Sequence, residues 1–400
     1  MLNWRKQSIV AAFGLLPFCV AAQPMTPSKG EGLKTRFGKG IQFVAADSSM
    51  SVKMGVRFQT LFSAERSLEE GSPIEKELMI RRFRLKFDGF AFTPRLIYKI
   101  ELALSNRDNA PVIPQGARGA NIVLDAVLKY QVRNNLELWF GQTKLPGNRE
   151  RVISSQALQF VDRSLVNAWY NLDRDLGVQL HHEFNLGNIL IRDQYAVSLG
   201  QGRNITMADT GGLSYTARLE VLPFGEFTNG GDYFDADLER EESPKLSLAA
   251  GYSYNQGAMR NAGELGDFVS ESRDLGTFFA DAMFKYRGWS VTTEFMNKQS
   301  GASPVLADSS DFFQTGMGWN LQSGYLFKNN IELAARYSLI QPAEQLVAAG
   351  MADRIDEITL AASKYFLKHN LKIQTDLSHT RDLIRDEPTL RYRLQVELAL

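Results

Sequence analysis

Residues 389–400 read Thr-Leu-Arg-Tyr-Arg-Leu-Gln-Val-Glu-Leu-Ala-Leu. Leu390, Tyr392, Leu394, Val396, Leu398 and Leu400 alternate with Arg391, Arg393, Gln395, Glu397 and Ala399. Successive side chains of an extended chain point to opposite faces, so one face is wholly apolar and the other carries the charges. Helical spacing would mix the two sets around an axis. The segment is a strand with one side for hydrocarbon and one for water.

The pattern recurs upstream. Val52, Met54, Val56, Phe58 and Phe62 alternate with Lys53, Arg57, Gln59 and Ser63. Phe83, Leu85 and Phe87 alternate with Arg82, Arg84 and Lys86, and Leu96, Tyr98, Ile100, Leu102 and Leu104 with Arg95, Lys99, Glu101 and Ser105. Further candidates lie near 121–132, 135–145, 175–185, 188–200, 212–222, 245–255, 276–287, 288–298, 312–327, 330–340, 354–367 and 370–379. With the last strand the set numbers sixteen, an even count as bacterial outer-membrane barrels require. Short joints at 92–94, 133–135, 185–188, 287–288, 328–330 and 368–370 alternate with long polar connections, as up-and-down strands demand. The joint 223–244 breaks this rule: it has the parity of a short turn and the length of a loop. A soluble β-sandwich would also alternate, but its strands average five or six residues, and these run about ten or more. Tyr98, Trp139, Tyr195, Tyr286, Trp289, Tyr325, Phe327 and Tyr365 fall near strand ends and are expected as interfacial girdle residues. The fold expected is all-β: a 16-stranded antiparallel transmembrane β-barrel.

Composition agrees. The 400 residues carry 45 Lys+Arg against 45 Asp+Glu, which argues against a nucleic-acid partner, and 44% hydrophobic content excludes a disordered chain. Trp4-Arg5-Lys6, an apolar run from Ile9 to Val20 and the small residues Val20-Ala21-Ala22 predict a signal peptide over 1–22, cleaved before Gln23. The one cysteine, Cys19, lies inside it, and Phe18 sits where a lipoprotein box needs a small residue. An N-terminal periplasmic segment is expected over 23–49 and the barrel over 50–400, placed in the bacterial outer membrane among its lipids.

Sixteen strands enclose more volume than wall side chains fill, so a lumen remains. Charge on the lipid face is costly, so the polar face must line that lumen. Arg57, Arg82, Arg84, Lys86, Lys99, Arg391 and Arg393 are therefore expected to face the pore, a basic wall that favours anions. A mixed wall balanced by Glu101, Asp125, Glu137, Glu332 and Glu397 is the competing reading. The connection 146–174 carries Arg149, Arg151 and Arg163 beside Val152, Ile153, Leu158, Phe160 and Val161. That apolar content predicts a loop folded inward as a constriction, against the alternative of an ordinary surface loop.

Arg81-Arg82-Phe83-Arg84-Leu85 with Gly89, then Gly141-Gln142-Thr143-Lys144-Leu145-Pro146, Glu150, Ser154-Ser155 and Phe160-Val161-Asp162-Arg163-Ser164, resemble the phosphate-selective porin O and P family. The Pro223-Phe224-Gly225 joint and the acids Asp232, Asp237 and Glu239 are similar to that family as well. The resemblance spans roughly Gly40 to Leu400. It implies a sixteen-stranded outer-membrane channel, a homotrimer, passing phosphate, polyphosphate or other small anions without a cofactor. It brings Arg82, Arg84, Lys144, Glu150 and Arg163 forward as motif residues. Two features depart from the pattern: the chain ends in Leu400 where such barrels usually end in an aromatic, and no lysine cluster for phosphate can be placed.

Other chemistries find no support. There is no Gly-x-Ser-x-Gly, His-Glu-x-x-His or P-loop, so no catalytic site and no enzyme is expected. His181 and His182 are adjacent on a strand and face opposite ways, which suits wall residues and not a metal pair. Asp235, Asp237 and Glu239 lack EF-hand spacing and are expected as a solvated acidic joint. A non-selective or sugar-selective pore, and a closed structural or adhesive barrel, stay open as alternatives.

Overall fold

The structure, a computed structural model, describes residues 34–105, 107–108, 121–205, 211–306 and 311–400. The expected signal peptide lies outside the described residues. Two short strands, β1 (Lys34–Arg36) and β2 (Gly40–Val44), form an N-terminal hairpin that the alternation did not predict. Sixteen longer strands follow: β3 (Ser51–Ser67), β4 (Glu75–Ala91), β5 (Thr93–Ala103), β6 (Val123–Arg133), β7 (Leu136–Lys144), β8 (Arg174–Leu186), β9 (Ile189–Ser198) and β10 (Ser214–Leu222). The second half comprises β11 (Lys245–Arg260), β12 (Phe268–Tyr286), β13 (Trp289–Ser300), β14 (Gly316–Leu326), β15 (Ile331–Pro342), β16 (Ile355–Leu367), β17 (Leu371–Asp382) and β18 (Pro388–Ala399).

Each of these pairs antiparallel with the next, and β18 returns to β3 with Leu394 opposite Phe62 and Glu397 opposite Gln59. The ring is closed, so no strand in it leaves an edge of unpaired backbone facing lipid. Below the end of β18, β2 takes over the same side of β3, pairing Ile41 with Met54 and Phe43 with Val52. Tight turns join strands at one end. Between Tyr286 and Trp289 only Arg287 and Gly288 intervene, with φ of 47° and 91°. Both values are those of a mirror-image turn, whose twist matches the flanking strands and which favours glycine.

Burial is inverted relative to a water-soluble protein. On β18, Arg393, Gln395 and Glu397 are buried, while Tyr392, Leu394 and Val396 stand exposed on the outer face. The same holds around the ring, from Arg57 and Gln59 to Ser338, Thr359 and Lys372 inside, and from Phe140 and Leu219 to Leu333 and Leu360 outside. The girdle expectation needs correction at two positions. Trp139 faces inward and donates to Glu137, and Tyr365 is buried with its hydroxyl 2.6 Å from Glu332. Trp289, Tyr195 and Phe327 do lie on the outer face.

The lumen is partly filled by two connections. Residues 145–173, with helices α1 (Arg149–Val152) and α2 (Leu165–Tyr170), lie against the inner wall. Ile153 and Leu158 pack with Leu190, Leu222, Phe227 and Met283, and Val166 and Tyr170 with Phe279, Met296 and Ile340. Residues 223–244 fold in as well. Of the acids expected to be solvated, Asp235 and Asp237 are buried, as is Asp232, while Glu239 stays partly exposed and bonds Lys368. Asp235 accepts the Gln159 N–H at 3.1 Å, Asp237 accepts the Gly288 N–H at 2.7 Å, and Asp232 takes the Arg192 guanidinium. Lys285 reaches from β12 to the carbonyls of Gly231, Phe234 and Ala236 at 2.7, 2.8 and 2.9 Å. These partners replace the water that sequence reasoning assigned to the joint.

Leu394→Arg places a guanidinium on the outer face in mid-strand. Its expected cost is about 2–4 kcal/mol of unfolding free energy in lipid vesicles, falling toward the interfaces. Unchanged denaturant unfolding would contradict the inverted assignment of faces.

Candidate ion pathway

The wall from β4 to β9, with side chains of β16 and β18, and the inward 145–173 connection leave between them a cavity of about 960 Å³. It extends from Asn134 and Asn135, in the tight β6–β7 turn, to Asp108, Arg203 and Leu265 in connections at the opposite end of the barrel. Fourteen Lys and Arg side chains line it against seven Asp and Glu. The excess is local, since the chain as a whole is balanced.

Nine of the eleven residues singled out in the sequence line this cavity: Arg82, Arg84, Lys86, Lys99, Lys144, Arg151, Arg163, Arg391 and Arg393. Arg57 and Arg149 do not. Arg57 bonds Glu397 of β18 and donates to Ser155 at 3.0 Å, so it is walled off behind the inward connection. Arg149 is buried on the far side against Glu220, Asp281 (3.2 Å) and the Asp232 carbonyl (3.2 Å). Both are fixed structural ions, and their burial removes them from any pathway.

Sequence reasoning missed Arg81, Lys129, Arg174, Arg192 and Arg203, which line the cavity too. Lys129 and Arg192 sit on inward faces, and strict alternation along β6 and β9 would have found them. Arg81 has a different cause. Gln59 pairs with Arg82 but Thr60 pairs with Ile80, so Arg81 is the extra residue of a β-bulge. A bulge re-aims side chains. Here it lets consecutive arginines reach one carboxylate, with both guanidiniums on Asp162 Oδ1 at 3.0 and 3.2 Å.

Most lining cations are spoken for. Arg84 bonds Glu101 (2.9 Å) and Asp108 (3.0 Å), Lys99 bonds Asp125 (2.6 Å), Arg174 bonds Asp125 (2.8 Å) and Arg151 bonds Asp173. Arg391 bonds Glu357 (3.0 Å), and Arg393 bonds Asp376 (2.7 Å). Burial would raise the Asp173 carboxyl, but Arg151 and Arg174 hold it well below the usual carboxylate range. Five cations have no carboxylate within ion-pair distance among the described residues: Lys86, Lys129, Lys144, Arg163 and Arg203. Lys144 and Arg163 converge on the Ile153 carbonyl at 3.1 and 2.8 Å. Burial first, then the nearby Arg151 and Arg82 charges, push the Arg163 guanidinium well below its usual value. Lys129 lies 3.4 Å over the Trp139 ring, and His181 stacks on the same indole at 3.9 Å. His182 bonds Asp193 and stacks on Phe184, so the two histidines share no ligand; no metal-holding cluster occurs among the described residues.

A closed barrel with lipid-facing apolar residues and a charged inner passage is a diffusion channel of the bacterial outer membrane. The chain belongs to the phosphate-selective porin O and P family, whose sequence model matches residues 52–298. No curated protein matches it by sequence. Among solved structures it is similar to the outer-membrane channel DcaP of Acinetobacter baumannii, at 12% identity and a TM-score of 0.56, covering 90% of this chain and 100% of that one. It is also similar to OprB of Pseudomonas putida, at 10% identity and a TM-score of 0.53, covering 87% and 94%. At these identities the likeness is one of fold.

Lys86 stands opposite Glu101 on β5 but makes no hydrogen bond or ion pair to any described residue, so Lys86→Gln removes charge without breaking a direct bond. The expected outcome is a lower single-channel conductance in dilute potassium chloride, a difference that vanishes in molar salt where the field is screened. Equal conductance at both ionic strengths would place Lys86 off the ion path.

Proposed function

We propose that this channel passes small anions down their gradient in preference to cations, with phosphate-like oxyanions as the natural class. The observation that carries the reading is that five cations lining one cavity, Arg203, Arg163, Lys144, Lys86 and Lys129, have no carboxylate within ion-pair distance among the described residues. Unpaired positive charge between low-dielectric walls lowers the barrier for an anion and raises it for a cation. Because the series is spread over several positions, no single contact needs to hold the ion, and it can leave as readily as it enters.

In this reading the 145–173 connection is the constriction: it presents Arg151 and Arg163 toward Lys144 and narrows the path on the β4–β9 side. Phosphate as the solute rests on the family's name and not on a built lysine cluster. A sugar pore would need an aromatic track; the aromatics lining the cavity are Trp139 and Tyr233, and Lys129 and His181 lie on Trp139. The assembly proposed is a homotrimer, as the family resemblance implies, exported by cleavage of residues 1–22.

Planar-bilayer recording tests this. Under a potassium chloride gradient the reversal potential should take the sign of chloride selectivity, and Lys86→Glu with Lys129→Glu should move it toward zero. Added phosphate should reduce the chloride current in a dose-dependent way. A cation-selective reversal potential would sink the proposal; indifference to phosphate would leave a general anion pore.

A further inference from the structure

Asp162 sits in an unusual position for an acid inside a basic passage. It belongs to the inward connection, not to the wall, and its side chain is 24% exposed to the cavity. Its Oδ1 accepts from Arg81 at 3.0 Å and Arg82 at 3.2 Å, and the Arg393 guanidinium lies 3.6 Å from Oδ2. Arg336 donates to its backbone carbonyl at 2.9 Å and covers the Phe160 ring. Burial alone would raise the Asp162 carboxyl, yet the three guanidiniums hold it far below the usual carboxylate range.

Three converging guanidiniums from β4 and β18 make the kind of fork that binds a planar or tetrahedral oxyanion. One carboxylate does not use that capacity in full. Arg81 and Arg82 share a single oxygen, Arg393 gives its Nε and Nη2 to Asp376 and leaves Nη1 3.6 Å from the other, and the buried Arg82 Nε has no partner among the described residues. An oxyanion with three or four oxygens would satisfy more of these donors.

We infer that Asp162 is a built-in stand-in for the permeant anion, occupying the Arg81–Arg82–Arg393 cluster until a solute oxyanion displaces it. The inference rests on the proposed anion transport and adds how affinity is set. An occupant tethered to the site lowers the apparent affinity of every competitor by the fraction of time the site is open. A cluster of this charge density would otherwise hold an oxyanion too long for conduction. When the solute leaves, the carboxylate returns to Arg81 and Arg82, while Arg393 keeps its two bonds to Asp376 throughout.

The test uses the full-length channel in planar bilayers, with sulfate as the probe and chloride as the current carrier. In Asp162→Asn the half-blocking sulfate concentration should fall by about tenfold or more, equivalent to at least ~1.4 kcal/mol of competition removed. Asp162→Glu keeps the competing charge and should remain near the wild-type value. Unchanged or weaker block in Asp162→Asn overturns the inference, and so does an equal gain in Asp162→Glu. If Asp162→Asn fails to assemble, refolding with sulfate present should restore heat-modifiable barrels, because an external oxyanion then fills the cluster; no restoration also overturns it. A wild-type channel with no anion preference overturns both this inference and the transport reading. An anion-selective wild type without the sulfate effect sinks this inference alone.

Discussion

Everything in this molecule follows from the cost of placing charge or unpaired backbone in hydrocarbon. The first consequence is closure, with β18 returning to β3 so that every wall strand has two neighbours. The second is inversion. Arg57, Arg82, Lys99, Arg218, Lys285, Lys298, Arg336, Lys372 and Arg393 must all point inward, together with the acids that alternate with them. The lumen therefore begins with far more charge than any pathway needs. Most of it is neutralised in pairs, and what remains unpaired gives the passage its sign.

The wall could be read from the sequence because the constraint acts on each strand separately with a period of two. All sixteen barrel strands fall where alternation puts them. Reading failed where the period is broken or where the partner is remote. The bulge at Arg81 shifts the phase by one residue, so the outward apolar positions pass from Leu78 and Ile80 to Phe83 and Leu85, a break that alternation counted only from Arg82 onward does not meet. Trp139 and Tyr365 have the composition of girdle residues and the position of inner ones, because a polar partner, Glu137 or Glu332, draws each inward. Arg57 satisfies the rule for facing inward and is nevertheless covered, and Arg149, on the inward connection, turns away from the cavity to the far wall. The rule says which face a residue takes, not whether another segment covers it.

The inward segments illustrate that last point. Residues 145–173 and 223–244 bring their own backbone carbonyls into the lumen, and buried donors must meet them. Long lysines do so: Lys285 on 231–236, Lys372 on Leu158 at 3.0 Å, Lys298 on Asn171 at 3.5 Å and Lys144 on Val152 at 2.9 Å. A flexible stem with several donors on its head can reach carbonyls in irregular backbone, and Arg149, Arg163 and Arg336 reach others. A sequence shows these lysines only as one more polar residue on an inner face. Their distance from the segments they secure, often more than a hundred residues along the chain, hides the role.

The zero net charge of the chain and the positive lining of its passage are compatible because acids and bases are distributed by place. Glu69, Glu70, Glu75 and Glu77 lie exposed around the β3–β4 connection, and Asp386 and Glu387 around β17–β18. An anion inside the cavity feels the nearby lysines and arginines across low-dielectric walls, whereas these outer carboxylates are screened by water and salt. Composition therefore carries no information about selectivity in such a protein. What matters is how many inward cations outnumber the carboxylates within reach of them, and that depends on which residues the folded connections cover and which they leave open.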